Sequence, residues 1–213
     1  MRNAPLRGIN FNKYMYVPKH FEPSKPVNTL IEEVCFGTLV EYVDGALYAA
    51  HIPLHFDKNR KWAYGHLAKA NELAAKWGSE NSKNDALFVI SGPSAYISSS
   101  WYATEEVPTY NYTAIQVKGT RRLRGRIETD DDLKRLVNYY EQKEPKGLTY
   151  DKYSPETLSQ SRGVVGFSIE ITSINAIEKL SQNRKEDQKT IIEQLENRCP
   201  EARRVAELMN KNK

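Results

Sequence analysis

Cysteine is scarce in this chain: two residues in 213, Cys35 and Cys199, neither in a CxxC pair. That scarcity argues against a disulfide framework and against thiolate zinc or dithiol redox chemistry, and it fits a reducing compartment. No apolar run approaches the roughly 20 residues that cross a bilayer. The start of the chain lacks the apolar core of a secretory signal, so the expectation is a cytoplasmic protein without a membrane partner, and the sequon Asn111-Tyr112-Thr113 is not read as a glycosylation site. Nucleotide binding through GxGxxG or GxxxxGK[ST] loses its support, because both patterns are missing. A GxSxG elbow is also missing, so Ser98, Ser99 and Ser100 gain nothing as nucleophiles. Charge of one sign is in small excess: a net of +4 permits a phosphate or nucleic-acid partner without demanding one. There is no internal repeat, and no linker is long enough to separate the chain into domains.

What the chain does have is a globular balance, with 39% hydrophobic and 27% charged residues, and one unusual stretch. From Ser91 to Tyr112, SGPSAYISSSWYATEEVPTYNY interleaves Tyr96, Trp101, Tyr102, Tyr110 and Tyr112 with short hydroxyl and amide side chains. Rings offer stacking faces, and Ser, Thr and Asn offer neutral hydrogen-bond partners, a combination suited to a planar phosphorylated ligand. Half-buried strands and their turns have the same composition.

The periodicity predicts a mainly β chain with peripheral helices. After Pro18, Pro23 and Pro26, Asn28 is placed to cap a short helix carrying Leu30, Ile31 and Val34 inward. FGTLVEYV and ALYAAHIPL read as strands joined by Asp44-Gly45, a dipeptide suited to a tight hairpin. The turn DKNRK leads to WAYGHL, giving a three-strand meander, and a helix follows from Asn71 to Trp77. ALFVISG is a short buried strand, and NYTAIQVKGTRRLRG is one long strand or a hairpin bent near Gly119. Thr129 followed by three aspartates marks a helix start, with Leu133, Leu136, Val137 and Tyr140 on its apolar face. VVGFSIEITSI supplies a last strand, and two helices separated by Pro200 end the chain. Five or six strands in meander order argue for an antiparallel barrel or a strongly coiled sheet rather than a doubly wound α/β sheet.

Few residues invite chemistry. His51, His55 and His66 lack the acids or thiols that would complete a metal site. GHLAKAN places Lys69 and Asn71 between a strand and a helix, where a phosphate can sit, although Asn71 can equally be a simple cap. RRLRGR concentrates Arg121, Arg122, Arg124 and Arg126. As a strand it would put Arg122, Arg124 and Arg126 on one face, available to DNA phosphates or simply solvated.

Taken together and in order, MYVPKHF, HIPL, GHLAKAN, SGPSAYISSSWY, VPTYNY, GVVGFSIEI and KLSQNR resemble their counterparts in the PaiB-type FMN-binding negative transcriptional regulators, over about residues 14 to 195. The resemblance implies the antiparallel split β-barrel shared with pyridoxamine 5′-phosphate oxidase, normally a homodimer with FMN between subunits. Residues 1–213 would form one such domain, with a helical C-terminal extension from about 184. It also implies a site with the phosphate near Lys69, Asn71 and His66. Ser98, Ser99, Trp101, Tyr102, Tyr110, Asn111 and Tyr112 would line the ring and ribityl chain, and Ser181, Gln182, Asn183 and Arg184 would close it. The family more often has Arg where Lys69 stands, and Lys keeps the charge without the bidentate fork. Two functional classes follow from the resemblance: an FMN-binding transcriptional regulator, or an FMN-dependent oxidoreductase of the pyridoxamine-phosphate-oxidase-like class acting on a small molecule.

Overall fold

The computed structural model describes residues 15–78 and 83–211; the thirteen residues ahead of Tyr14 lie outside them. Six antiparallel strands carry the architecture: β1 (Val34–Val43), β2 (Ala46–Phe56), β3 (Trp62–Ala68), β4 (Lys83–Ile97), β5 (Thr109–Leu123) and β6 (Val164–Lys179). They close into a barrel in the order β1-β2-β3-β6-β5-β4. The helices are α1 (Glu72–Lys76), α2 (Arg126–Glu141), α3 (Pro155–Ser159), α4 (Gln188–Glu196) and α5 (Pro200–Lys211). Among the described residues no helix is long and apolar enough to cross a membrane.

The described residues form two compact units, one within 31–89 and 117–174, the other within 15–30, 90–116 and 175–211. In the first unit, strand alternation decides what lies inside. Leu39, Leu54, Phe56, Ala63, Leu67, Phe88, Phe167 and Ile169 are all buried. The β1–β2 hairpin turns at Asp44 and Gly45, whose φ angles of 50° and 83° are the pair of left-handed residues that its tight turn requires. β1 closes the barrel by pairing with β4 from Thr38↔Val89 to Glu41↔Ala86. Gly65 belongs to this core, because a Cβ there would stand 2.5 Å from Leu54 Cδ2 and 2.9 Å from Phe167 Cζ.

The second unit is built around the α4–α5 hairpin. Ile191, Ile192, Leu195, Val205, Ala206 and Met209 pack with Ala95, Ile97, Trp101 and Leu180 in one apolar cluster. Pro200 opens α5, a position where its missing N–H costs nothing.

Several local expectations are corrected. No α-helix follows Asn28: Val27–Thr29 is one 3-10 turn with Pro26 at its cap, Thr29 Oγ1 donates back to the Pro26 carbonyl at 2.7 Å, and Val34 opens β1. The β-branched and aromatic run from Val34 outweighs the weak helical spacing. The meander order holds for β1-β2-β3, after which β3 pairs with β6, from Trp62↔Glu170 to Ala68↔Val164. Thr129 is not a cap. α2 starts at Arg126 with Gly125 before it, Glu128 accepts the Gly125 N–H at 3.0 Å, and Thr129 is buried in the helix, donating to the Gly125 carbonyl. In the aromatic stretch the strand reading describes residues 91–97 and 109–112, which extend β4 and open β5.

Candidate functional site

GHLAKAN spans the end of β3 and the start of α1 in the first unit. Asn71 Oδ1 accepts the Leu73 N–H at 2.9 Å, so Asn71 caps a helix of only five residues. Lys69 is exposed, and its backbone N–H bonds the Gly163 carbonyl at 2.8 Å. Burial holds the His66 imidazole below its ordinary pKa. It is therefore neutral at neutral pH, offering a hydrogen bond rather than a charge. The cation that GHLAKAN itself offers a phosphate is Lys69.

In the second unit, segments distant in sequence meet around a pocket of about 150 Å³. Thr109 and Asn111 come from the start of β5, Lys179 from the end of β6, and Ser181, Asn183 and Arg184 from the turn that follows. Tyr102, Glu106 and Val107 come from the β4–β5 connection and Phe21 from the single-turn helix Lys19–Phe21. Asn111 and Ser181, 70 residues apart, are both buried and bond each other twice: Asn111 Nδ2 donates to Ser181 Oγ at 2.9 Å, and that hydroxyl lies 3.1 Å from Asn111 Oδ1. The Gln188 amide donates to the Ser181 carbonyl at 3.1 Å and helps hold Ser181 at a φ of 59°. Arg184 pairs with Glu106 and lies 6.0 Å from the Tyr102 ring, while Lys179 bonds Thr109 Oγ1.

The structure thus brings Tyr102, Asn111, Ser181, Asn183 and Arg184 to one pocket, and the other expected residues of this unit stand elsewhere. Trp101 is 8% exposed inside the apolar cluster with Arg198 over its ring at 4.5 Å. Ser98 caps the single-turn helix Ser99–Trp101 through the Ser100 N–H at 3.3 Å, and Ser99 is exposed. Tyr110 packs edge-on against Tyr96, Tyr112 is half-buried, and Gln182 folds back to accept the Leu180 N–H at 2.8 Å. Phe21, Glu106, Thr109 and Lys179 were not anticipated. Three of them had a signal: Phe21 closes MYVPKHF, Thr109 lies in VPTYNY and Lys179 opens KLSQNR.

The pocket's donor set of two cations, two rings, amides and hydroxyls suits one portion of a flavin mononucleotide. Its volume is below the roughly 300–1,000 Å³ of sites that enclose a whole small molecule.

Arg122, Arg124 and Arg126 do not share one strand face. β5 ends at Leu123 and Gly125 precedes α2, so Arg126 stands in the first helical turn. Arg121 is 1% exposed and donates Nε to Glu41 Oε1 at 3.2 Å. Arg122 pairs with Glu170, Arg124 with Asp132 and Glu128 at 3.0 Å each, and Arg126 with Asp130 at 2.6 Å. His51 and His55 sit on the barrel wall in β2: Thr38 Oγ1 is 2.9 Å from His51 Nδ1, and His55 Nε2 is 3.4 Å from Glu33 Oε1.

Residues 15–173 match the family described as "Putative FMN-binding domain". The chain is 39% identical over 202 residues to the protease synthase and sporulation protein PAI 2 of Bacillus subtilis (strain 168), covering 92% of this chain and 96% of that protein. Among solved structures it is similar to a flavocytochrome from Azotobacter vinelandii, with a TM-score of 0.52 at 13% identity, over 72% of this chain and 65% of that one. A conserved hypothetical protein from Mycobacterium tuberculosis gives a TM-score of 0.50 at 10% identity, over 79% of this chain and 92% of that one. At such identities the likeness is one of fold.

Proposed function

This chain belongs to the PaiB-type family of FMN-binding domains, and from that membership we propose that it is an FMN-binding regulatory protein that works as a cytoplasmic homodimer. The observation that carries the reading is the family match over residues 15–173, which takes in HIPL, GHLAKAN, SSSWY, TYNY and GVVGFSIEI in order. FMN is the cofactor, and when bound it supplies electron-transfer chemistry that the side chains lack.

In this reading the Lys69 ammonium holds the phosphate, with neutral His66 as a hydrogen-bonding neighbour and Asn71 fixing the turn. Tyr102, Asn111, Asn183 and Arg184, joined by Lys179, are the candidates to meet ring and ribityl chain. Ser98, Ser99, Trp101, Tyr110, Tyr112, Ser181 and Gln182 shape the surroundings. The dimer is supported by the outer face of the β1–β2 hairpin, where Phe36, Tyr42 and Leu47 are 65%, 62% and 73% exposed, and where Tyr42 is paired with Leu47. A second copy would cover that apolar face symmetrically. Contact with DNA would fall to Arg122 and Arg126, whose side chains remain 40% and 45% exposed; buried Arg121 leaves the set.

Lys69→Ala tests the phosphate assignment. It is expected to weaken FMN about ten- to a hundredfold, the usual worth of a charge-assisted contact, while riboflavin, which has no phosphate, binds as before. An equal loss for both ligands in a flavin-fluorescence titration places the phosphate elsewhere.

A further inference from the structure

A second pocket, of about 450 Å³, lies in the first unit at the turn between β2 and β3, lined by Glu33, His55, Phe56, Asp57, Lys58, Arg60, Tyr64 and Arg135. One of its two acids, Asp57, is committed to its own turn. Asp57 Oδ1 accepts the N–H groups of Lys61 at 2.7 Å and Trp62 at 2.8 Å, as the clamp of its own turn. Glu33 is beside His55 Nε2, with its side chain 61% exposed.

The cations are less satisfied. Arg60 has a φ of 54°, a left-handed conformation uncommon outside glycine. Both of its terminal amines donate to main-chain carbonyls, Nη1 to Asp57 and Nη2 to Ile31, each at 2.7 Å. This arginine therefore has no carboxylate partner among the described residues, and Lys58 beside it has none either. Arg135 reaches only Asp132 Oδ1, at 3.6 Å, and Asp132 already serves Arg124 at 3.0 Å. Two polar atoms of the lining residues, His55 Nδ1 and Arg60 Nε, are buried without a hydrogen-bond partner, a condition that buried polar groups rarely keep. Tyr64 and His55, with ring centroids 6.3 Å apart, add flat walls.

Two arginines that lack a close carboxylate partner of their own and two ring walls line one cavity, and a flat organic anion complements them. We infer that this pocket binds a small organic carboxylate with a flat apolar body, its anionic end held by Arg60 and Arg135 and its ring set against Tyr64 and His55. Guanidinium suits this task because it pairs with carboxylates in a planar fork and stacks on rings. The inference goes beyond flavin binding and uses none of the residues assigned to FMN.

Calorimetric titration of the full chain, with and without FMN, tests it with benzoate as the probe and benzyl alcohol as the uncharged match. Benzoate is expected to bind at least about tenfold more tightly than benzyl alcohol, the scale of one charge-assisted contact. Arg135→Gln, at a side chain 55% exposed, should remove most of that preference. Arg60→Lys, which keeps the charge and loses the fork, should remove a smaller share of it. FMN affinity should stay unchanged in both variants, so failure of flavin binding and failure of this site are told apart. No heat from benzoate at millimolar concentration, equal binding of benzyl alcohol, or an Arg135→Gln variant indistinguishable from wild type would each overturn the assignment.

Discussion

Glu41 and Arg121 meet inside the first unit, 1% exposed each, with the Asn84 amide donating to Glu41 Oε2 at 3.1 Å and the Trp77 ring 4.8 Å from the Arg121 guanidinium. Removing one member of such a pair leaves the other charge buried and unpaired, at a cost of about 3–5 kcal/mol. Arg121→Met should therefore lower the stability read from a urea midpoint by that amount, and Arg121→Met with Glu41→Leu should recover most of it. A single variant as stable as wild type would mean that water reaches Glu41. The sequence did not disclose this pair. Alternation along β5 separates two faces without saying which is inside, and the partner that makes burial tolerable lies 80 residues away. Asn71 shows the opposite case. Its capping bond reaches two residues along the chain, so residue type and local pattern were enough.

At the scale of elements the same distinction recurs. The β1–β2 hairpin was legible because Asp44-Gly45 encodes its own backbone geometry, and β3, α1, α4 and α5 followed their periodicities. α2 was placed late because Thr129 and its aspartates imitate a helix start. The acceptor that the Gly125 N–H uses is the Glu128 side chain, three residues on, an arrangement in which the cap position itself needs no side chain. Glu128→Ala should consequently destabilise α2 by about 0.5–2 kcal/mol, the usual worth of a capping interaction. Glu128→Gln keeps an acceptor oxygen and should lose little. Thermal unfolding followed by circular dichroism checks this; a Gln variant as weak as the Ala variant would assign the effect to the Arg124 ion pair instead.

For the whole molecule, antiparallel barrel architecture was readable from strand spacing, but barrel closure was not. The pairings β1 with β4 and β3 with β6 join segments that no local rule connects. The candidate pocket divides the same way. Tyr102, Asn111 and Arg184 were named from motifs as site residues, whereas Phe21 and Thr109, although they stand in MYVPKHF and VPTYNY, are placed at the pocket only because the fold brings Lys19–Phe21 and the start of β5 together. Nothing in composition identified the ligand; the family motifs did, and the proposed pairing of two chains rests on the exposed β1–β2 face. Sedimentation velocity of purified protein with added FMN, recorded in the visible flavin band, asks the central question directly. Flavin absorbance should travel as one boundary at twice the mass of the chain. Flavin left unsedimented at micromolar protein, with the chain moving alone, would contradict FMN binding.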